Sequence, residues 1–209
     1  MTQSQLNPKW DQRYASEDFF YGTTPNEFLV EAATPLRRGR TLCLAEGEGR
    51  NSVWLAEQGF DVSSVDLSAV GVAKTLRFAA SRNVTVHAQV GDLADFVIEP
   101  HSFDLIVSIF AHTPTTLRRS IHQRVVNGLR PGGTFVLEAY SPDQIPLGTG
   151  GPSDPDMLVT ADNLRAELAG LEFDHLIEIN RNIVEGAGHS GLAAVVQAIA
   201  HRPPPTAHR

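Results

Sequence analysis

An apolar run that ends in a glycine-bearing turn and restarts as a helix constrains this chain more than any other feature. Leu42-Cys43-Leu44 leads into Ala45-Glu46-Gly47-Glu48-Gly49, followed by Arg50-Asn51. Gly47 and Gly49 lack a Cβ, so the backbone there can take positive φ or let a ligand come close. A helix opening at Arg50 or Asn51 presents N–H groups with no helical carbonyl, and such groups attract an anion. Nineteen residues after Gly47, Val62-Ser63-Ser64-Val65-Asp66 reads as a second strand ending in a carboxylate, where ribose hydroxyls would need acceptors. Strand, glycine turn, helix and acid-ended strand together describe a nucleotide-type site in an α/β sheet.

The charges of the turn narrow the ligand. A dinucleotide fingerprint carries a third glycine three residues after the second, and here that position is Ser52. Glu46 and Glu48 put two carboxylates beside any bound group, and they would repel a pyrophosphate. A cationic or zwitterionic ligand suits the turn better: its carboxylate can use helix N–H groups while an ammonium or sulfonium sits near the acids. S-adenosylmethionine has those charges. A nicotinamide-dependent oxidoreductase and a non-catalytic binding module are the alternatives.

Residues 40–140 alternate strand-like runs (41–45, 61–65, 84–88, 103–109, 133–139) with helical stretches (51–58, 68–81, 114–128), the pattern of a parallel sheet with helices on both faces. Right-handed crossovers bring the strand ends to one side, where such sheets bind ligands. Upstream, residues 7–33 concentrate Trp10, Tyr14, Phe19, Phe20, Tyr21 and Phe28 and read as a helical cap. Downstream, the Pro- and Gly-rich stretch 141–157 is a loop over the site or a floppy connector. A helix near 160–169 and two β-rich runs, 171–183 and 192–201, follow; between the runs lies a turn containing His189. Residues 1–202 are expected to form one domain, and 203–209, opening on Pro203-Pro204-Pro205, a disordered tail.

Five ordered segments resemble the class I S-adenosylmethionine-dependent methyltransferases. They are the turn Glu46-Gly47-Glu48-Gly49, the acid Asp66, the run Gly91-Asp92-Leu93, the strand Phe103-Asp104-Leu105-Ile106-Val107-Ser108-Ile109, and Leu129-Arg130-Pro131-Gly132-Gly133 before the next strand. Tyr21-Gly22-Thr23-Thr24-Pro25-Asn26 and the wording of the first turn are further similar to a bacterial subgroup related to tellurite-resistance and thiopurine-type methyltransferases. The resemblance implies a single-domain Rossmann-like α/β methyltransferase fold: a seven-stranded, mostly parallel sheet of order 3-2-1-4-5-7-6 with strand seven antiparallel and the N-terminal cap outside it. It also implies S-adenosyl-L-methionine as cofactor, with Asp66 and the adjoining Leu67 at the ribose. Gly91, Asp92 and Leu93 fall near adenine, and Ile109 and Phe110 at the end of strand four.

Within that frame Glu46 is expected at the donor's ammonium, Arg50 at its carboxylate, and Tyr21 and Asn26 at its methionine end. Gly47, Glu48, Gly49 and Asn51 complete the turn, Glu48 being as readily a solvent-facing residue. His112, His189 and Tyr140 are the candidate catalytic groups on the acceptor side. His112 is equally a histidine leading into a helix, and His189 reads more readily as a surface turn residue. Tyr140 and Glu138 end strand five, one of them expected to point away from the pocket. Asp104 reads as structural, and Cys43 as a small buried hydrophobe.

Net charge −7 disfavours a nucleic-acid partner. Spacings such as Cys-x-x-Cys are missing, so no metal is expected. No run reaches the ~18 apolar residues of a membrane span, and the expected setting is cytoplasmic. The expected partner is a small-molecule methyl acceptor: a thiol, a chalcogen oxyanion or another small nucleophile.

Overall fold

The computed structural model describes residues 8–204. Residues 1–7 of the expected cap and 205–209 of the expected tail lie outside the described residues. Seven strands form one sheet in the order β3-β2-β1-β4-β5-β7-β6. The elements in chain order are α1 (Pro8–Arg13), α2 (Glu27–Ala33), β1 (Arg40–Leu44), α3 (Arg50–Glu57), β2 (Asp61–Asp66), α4 (Ala69–Ser81), β3 (Val86–Val90), β4 (Phe103–Ile109), α5 (Thr115–Gly128), β5 (Leu129–Tyr140), α6 (Ala161–Glu167), β6 (Glu172–Glu185) and β7 (His189–His201). Strands β1 to β5 pair parallel, and β7 runs antiparallel to both β5 and β6. This is the Rossmann-like methyltransferase arrangement expected from the resemblance.

Alternation along the central strands divides the core in two. Leu42, Leu44, Ile106, Phe135 and Leu137 face a cluster with Val125 of α5 and Leu164 of α6. Cys43, Leu105, Val107 and Val136 face the other, with Leu29 of α2, Val53 and Leu55 of α3, and Phe78 of α4. Neighbouring residues of a strand must take opposite faces, so each central strand feeds both clusters. Helix α4 shows why its stretch is helical: Gly71, Val72, Thr75, Phe78 and Ala79 are buried at helical spacing, and the Ser68 side chain caps its start by accepting from Gly71 N. Helix α6 opens with a reciprocal capping box between Thr160 and Asn163.

Three boundaries differ from the sequence expectation. Strand β3 begins two residues late, because Asn83 takes φ 57° and Val84 N returns to Ala79 O at 3.1 Å to close α4. Strand β5 begins at Leu129, before the glycine pair; Gly132 N and Gly133 O bond Arg202 O and N across the sheet. Strands β6 and β7 extend to Glu185 and from His189, leaving Gly186, Ala187 and Gly188 as the turn. His189 is therefore the first residue of a strand and only 2% exposed, not a surface turn residue.

The stretch after β5 is a tied loop and not a floppy connector. It holds two 3-10 turns, Pro142–Leu147 and Pro155–Met157. Gln144 accepts from Ala194 N at 2.9 Å and donates to Thr149 Oγ1 and Gly150 O at 3.0 Å each. The cap is helical only at its ends, α1 and α2, with an irregular strap between them. Lys74 of α4 secures that strap by donating to Ser16 O at 2.8 Å and Asp18 O at 2.7 Å.

Candidate functional site

The ends of β1, β2, β4 and β5 converge beside the turn 45–49, and the turn's conformation follows from its glycines. Gly47 has φ 67° and Gly49 φ 92°, values that L side chains rarely adopt. A Cβ on Gly47 would meet Tyr14 Oη at 2.8 Å, and one on Gly49 would meet Thr75 at 2.7 Å. The neighbouring elements thus press on the turn from the cap and α4 sides.

Asp66 ties this turn to β2. Its Oδ2 accepts from Gly47 N at 2.8 Å and its Oδ1 from Ser68 N at 2.8 Å. Burial raises the Asp66 pKa, while the Ser68 and Gly47 N–H bonds hold it down. A carboxylate oxygen has about two lone-pair sites, so each retains one acceptor position. Two adjacent ribose hydroxyls match that pair of positions. Gly91 N bonds Asp66 O at 2.9 Å, which brings the Gly91-Asp92-Leu93 run beside the same strand end. Leu67 is half-buried next to it, Leu93 is buried and Asp92 is exposed.

The carboxylates of the turn face inward. Glu46 Oε1 accepts from Asn51 N at 2.9 Å and Ser52 N at 2.6 Å. The helix N-terminus therefore carries its own anion, and these two N–H groups are not open to a ligand's carboxylate as the sequence suggested. Burial pushes the Glu46 pKa up to about 7, against the lowering effect of Ser52, Arg50 and Asn51. Glu48 is also turned in, at 5% exposure: Lys74 Nζ lies 2.5 Å from Oε1, and Phe20 N donates to Oε2 at 2.8 Å. Its alternative reading as a solvent-facing residue is thereby excluded.

Arg50 and Asn26 enter a buried network at the far side of the turn. Arg50 Nη2 lies 2.7 Å from Glu185 Oε2, so its charge is matched within the chain. Asn26 caps α2 by accepting from Leu29 N at 3.0 Å through its side chain and from Val30 N at 3.1 Å through its carbonyl, and donates through Nδ2 to Glu138 Oε2 at 2.6 Å and Glu185 Oε1 at 3.1 Å. Asn51 Oδ1 accepts from Asn26 N at 2.9 Å. Glu138, fully buried, is further held by Arg181 through Nε and Nη2 at 2.8 Å each and by Gln197 at 2.7 Å. Such a charge is tolerable inside the protein because every oxygen is bonded.

The three catalytic candidates meet in one aromatic stack. Tyr140 packs against Phe110 at 4.6 Å, His112 at 5.0 Å and His189 at 5.2 Å between ring centroids. The Tyr140 hydroxyl also contacts His189 Nδ1. Burial lowers the His112 pKa to about 4, opposed by a bond with the Met157 backbone. Ile109 is buried at the end of β4, and Phe110 follows with φ 52° and N bonded to Glu138 O at 2.8 Å. Tyr140 and Glu138 take the same face of β5, since residues two apart in a strand must, so neither points away as expected. Tyr21 reaches the site's rim, where its hydroxyl accepts from Arg13 at 3.1 Å and its ring lies against Gly188.

On the opposite face of the sheet, Leu44, Leu93, Ser108, Ala111, Leu137 and Met157 are among the residues lining a closed space of about 20 Å³. That is the room of a single water. Among the described residues no group of three His, Cys, Asp or Glu stands ready to hold a metal. No helix of the described residues is long and apolar enough to cross a membrane.

Several residues of this region carry no local sequence signal. Glu185, Arg181 and Gln197 come from the terminal hairpin, and Asp11, Tyr14 and Lys74 from the cap and α4. Only an acid within the apolar run Val136-Leu137-Glu138-Ala139-Tyr140 hints at a buried partner set.

A seven-stranded 3-2-1-4-5-7-6 sheet with an acid-ended second strand beside a glycine turn is the Rossmann-like methyltransferase fold. Residues 42–133 match the family described as "Methyltransferase domain". The chain is similar to that family over 92 of its 209 residues, the stretch that holds the glycine turn, Asp66 and Gly91-Asp92-Leu93. It is 30% identical over 116 residues to a protein named hemagglutinin 1 from Eikenella corrodens, covering 55% of this chain and 39% of that protein. It is 28% identical over 118 residues to a demethylmenaquinone methyltransferase from Clavibacter sepedonicus, covering 56% and 48%. The matched region thus spans less than half the length of either relative.

Two solved structures share the fold at low identity. One, described under "Conversion of a Disulfide Bond into a Thioacetal Group during Echinomycin Biosynthesis", superposes with TM-score 0.78 at 16% identity, covering 97% of this chain and 94% of its own. TehB from Haemophilus influenzae superposes with TM-score 0.71 at 20% identity, covering 92% and 65%.

Proposed function

We propose that this protein transfers a methyl group from S-adenosylmethionine to a small molecule. The observation that carries the reading is Asp66, a buried carboxylate braced on the glycine turn with one acceptor position left on each oxygen. Glu46 supports it from the helix side. A bare helix N-terminus is equivalent to about half a positive charge and would repel a sulfonium. With Glu46 bonded to Asn51 N and Ser52 N, that end becomes neutral or negative according to the ionisation of Glu46.

When bound, S-adenosylmethionine supplies an electrophilic methyl on a positively charged sulfur. The residues of this chain would hold and orient it: Asp66 and Leu67 at the ribose, Gly91 to Leu93 near the base, and Ile109 and Phe110 below the reacting end. The cap and the 141–157 loop would exclude water. Holding two reactants in line can remove roughly 7–11 kcal/mol of barrier, so positioning accounts for most of the help such a displacement needs.

The acceptor is proposed to be small. The described chain devotes its length to the sheet and its cover, and the charge of −7 gives no general attraction for nucleic acid. A thiol, a chalcogen oxyanion or another small nucleophile meets that description. A single domain over 1–202 and a cytoplasmic setting belong to the same proposal. Calorimetric titration tests the donor half: heat with S-adenosylhomocysteine and none with NAD is expected, and the reverse overturns it. Labelled methyl from S-adenosylmethionine appearing in any small acceptor tests the other half; donor binding with no turnover across a metabolite screen favours a binding module instead.

A further inference from the structure

His189 Nε2 is a buried nitrogen without a hydrogen-bond partner, at the edge of the proposed acceptor side. Among the described residues His175 Nε2 shares that condition, but it lies on β6 beside Phe28, at 5.5 Å between ring centroids. The company of His189 is different. Its ring lies nearly parallel to Tyr140, at 13°, and Tyr140 in turn stacks on His112 and Phe110. Gly150 and Gly151 cover the pair so closely that a Cβ on either would come within 2.7 Å of His189 Nδ1 or Tyr140 Cδ2. Both glycines have positive φ, 140° and 81°, so the loop is shaped to lie on these two rings.

A buried polar atom left unbonded costs stability, and each such atom in a folded protein asks for a reason. We propose that His189 Nε2 is the proton acceptor for a flat, hydroxyl-bearing acceptor, a phenol or an enol, and that Tyr140 is the residue that positions it. The inference rests on the methyltransferase reading above and deepens it by naming the substrate class.

The tautomer follows from the contact. For Nε2 to be basic, Nδ1 must carry the proton and donate it to the Tyr140 oxygen. Tyr140 keeps its own proton, because burial first, then Glu185, Tyr21 and Glu138, raise its pKa. His189 stays neutral near pH 7: burial lowers its pKa and Arg181 adds to that, against Glu185, Glu138 and the Gly191 backbone. As the acceptor oxygen bonds the methyl carbon, the carbon–sulfur bond breaks and its electron pair stays on sulfur. The hydroxyl proton passes to Nε2. The products are a methyl ether, a neutral thioether and an imidazolium, which returns its proton to water after product release.

The chemistry selects the acceptor. A thiol with pKa near about 8.5 supplies a few per cent of its own, strongly nucleophilic thiolate at pH 7, and an oxyanion has no proton to remove, so neither depends on this base. A phenol of pKa about 10 does, and its ring suits the aromatic group of Phe110, His112 and Tyr140.

The test is methyl transfer from labelled S-adenosylmethionine to chlorophenols and nitrophenols of graded acidity, with benzenethiol and tellurite alongside. The wild type is expected to methylate the phenols. His189→Asn is expected to slow them by roughly 100-fold or more, with the loss growing as the phenol becomes less acidic and with the acid limb of the pH profile removed. Tyr140→Phe, which keeps the stack but frees the tautomer, should lower kcat with little change in KM. Undiminished binding of S-adenosylhomocysteine shows that both variants are folded. Donor binding without any phenol turnover overturns the proposal alone, as does an equal loss across all phenols. Failure to bind S-adenosylhomocysteine overturns the donor reading as well.

Discussion

Glu46 should make both stability and donor affinity depend on pH, in opposite senses. Its carboxyl is raised from 4.5 to about 7 chiefly by burial. The folded protein then holds a proton there that the unfolded chain releases above pH 4.5, so stability falls as pH rises from about 4.5 through 7. The rise from 4.5 to about 7 corresponds to about 3 kcal/mol. Glu46 retains partial exposure, and solvent screening reduces this to on the order of 2 kcal/mol. Glu46→Gln keeps an oxygen for Asn51 N and Ser52 N without the charge. The variant should match the wild type near pH 5 and exceed it by ~2 kcal/mol at pH 8, a melting difference of roughly 4–8 °C for a chain of this size. Thermal unfolding at both pH values measures it. Parallel pH curves for the two proteins would refute the account of Glu46. With the cationic donor the order reverses: wild-type affinity for S-adenosylmethionine should strengthen from pH 6 to 8, while that for neutral-sulfur S-adenosylhomocysteine changes less and Glu46→Gln flattens both. Calorimetry reads each.

Asp66→Asn should weaken S-adenosylhomocysteine binding by about 1.5–3 kcal/mol, roughly 10- to 150-fold, because a hydrogen bond to a charged group is lost; equal dissociation constants would remove Asp66 from the ribose. Arg50→Met leaves Glu185 buried without its 2.7 Å partner and should cost about 3–5 kcal/mol, read as a lower urea midpoint at unchanged slope. A loss below 1 kcal/mol would mean that Arg181 compensates. Gly186→Ala places a methyl against the Phe20 and Gly22 backbone at φ 55° and should free the cap strap; faster amide exchange at Ala187, whose N bonds Phe20 O at 2.8 Å, reports it.

The amino-acid order by itself was enough for the layered α/β frame, the glycine turn, Asp66 and the strand order by resemblance. Those features rest on periodicity, on residues close in sequence and on a repeated motif grammar, so they are written locally. Glu46, Glu48 and Arg50 were legible as a charged turn but not as to which way they face. Only the tertiary structure decided that Glu46 caps α3, that Glu48 meets Lys74 and that Arg50 meets Glu185. It likewise placed His189 inside, against Tyr140, when its neighbours Gly186 and Gly188 suggested an exposed turn. The partners in these contacts lie 26 to 135 residues apart where they cross the chain. A buried charge is viable only with such a partner, and which one it finds is settled by how the cap, the sheet and the hairpin pack together, a long-range property that no short window of sequence contains.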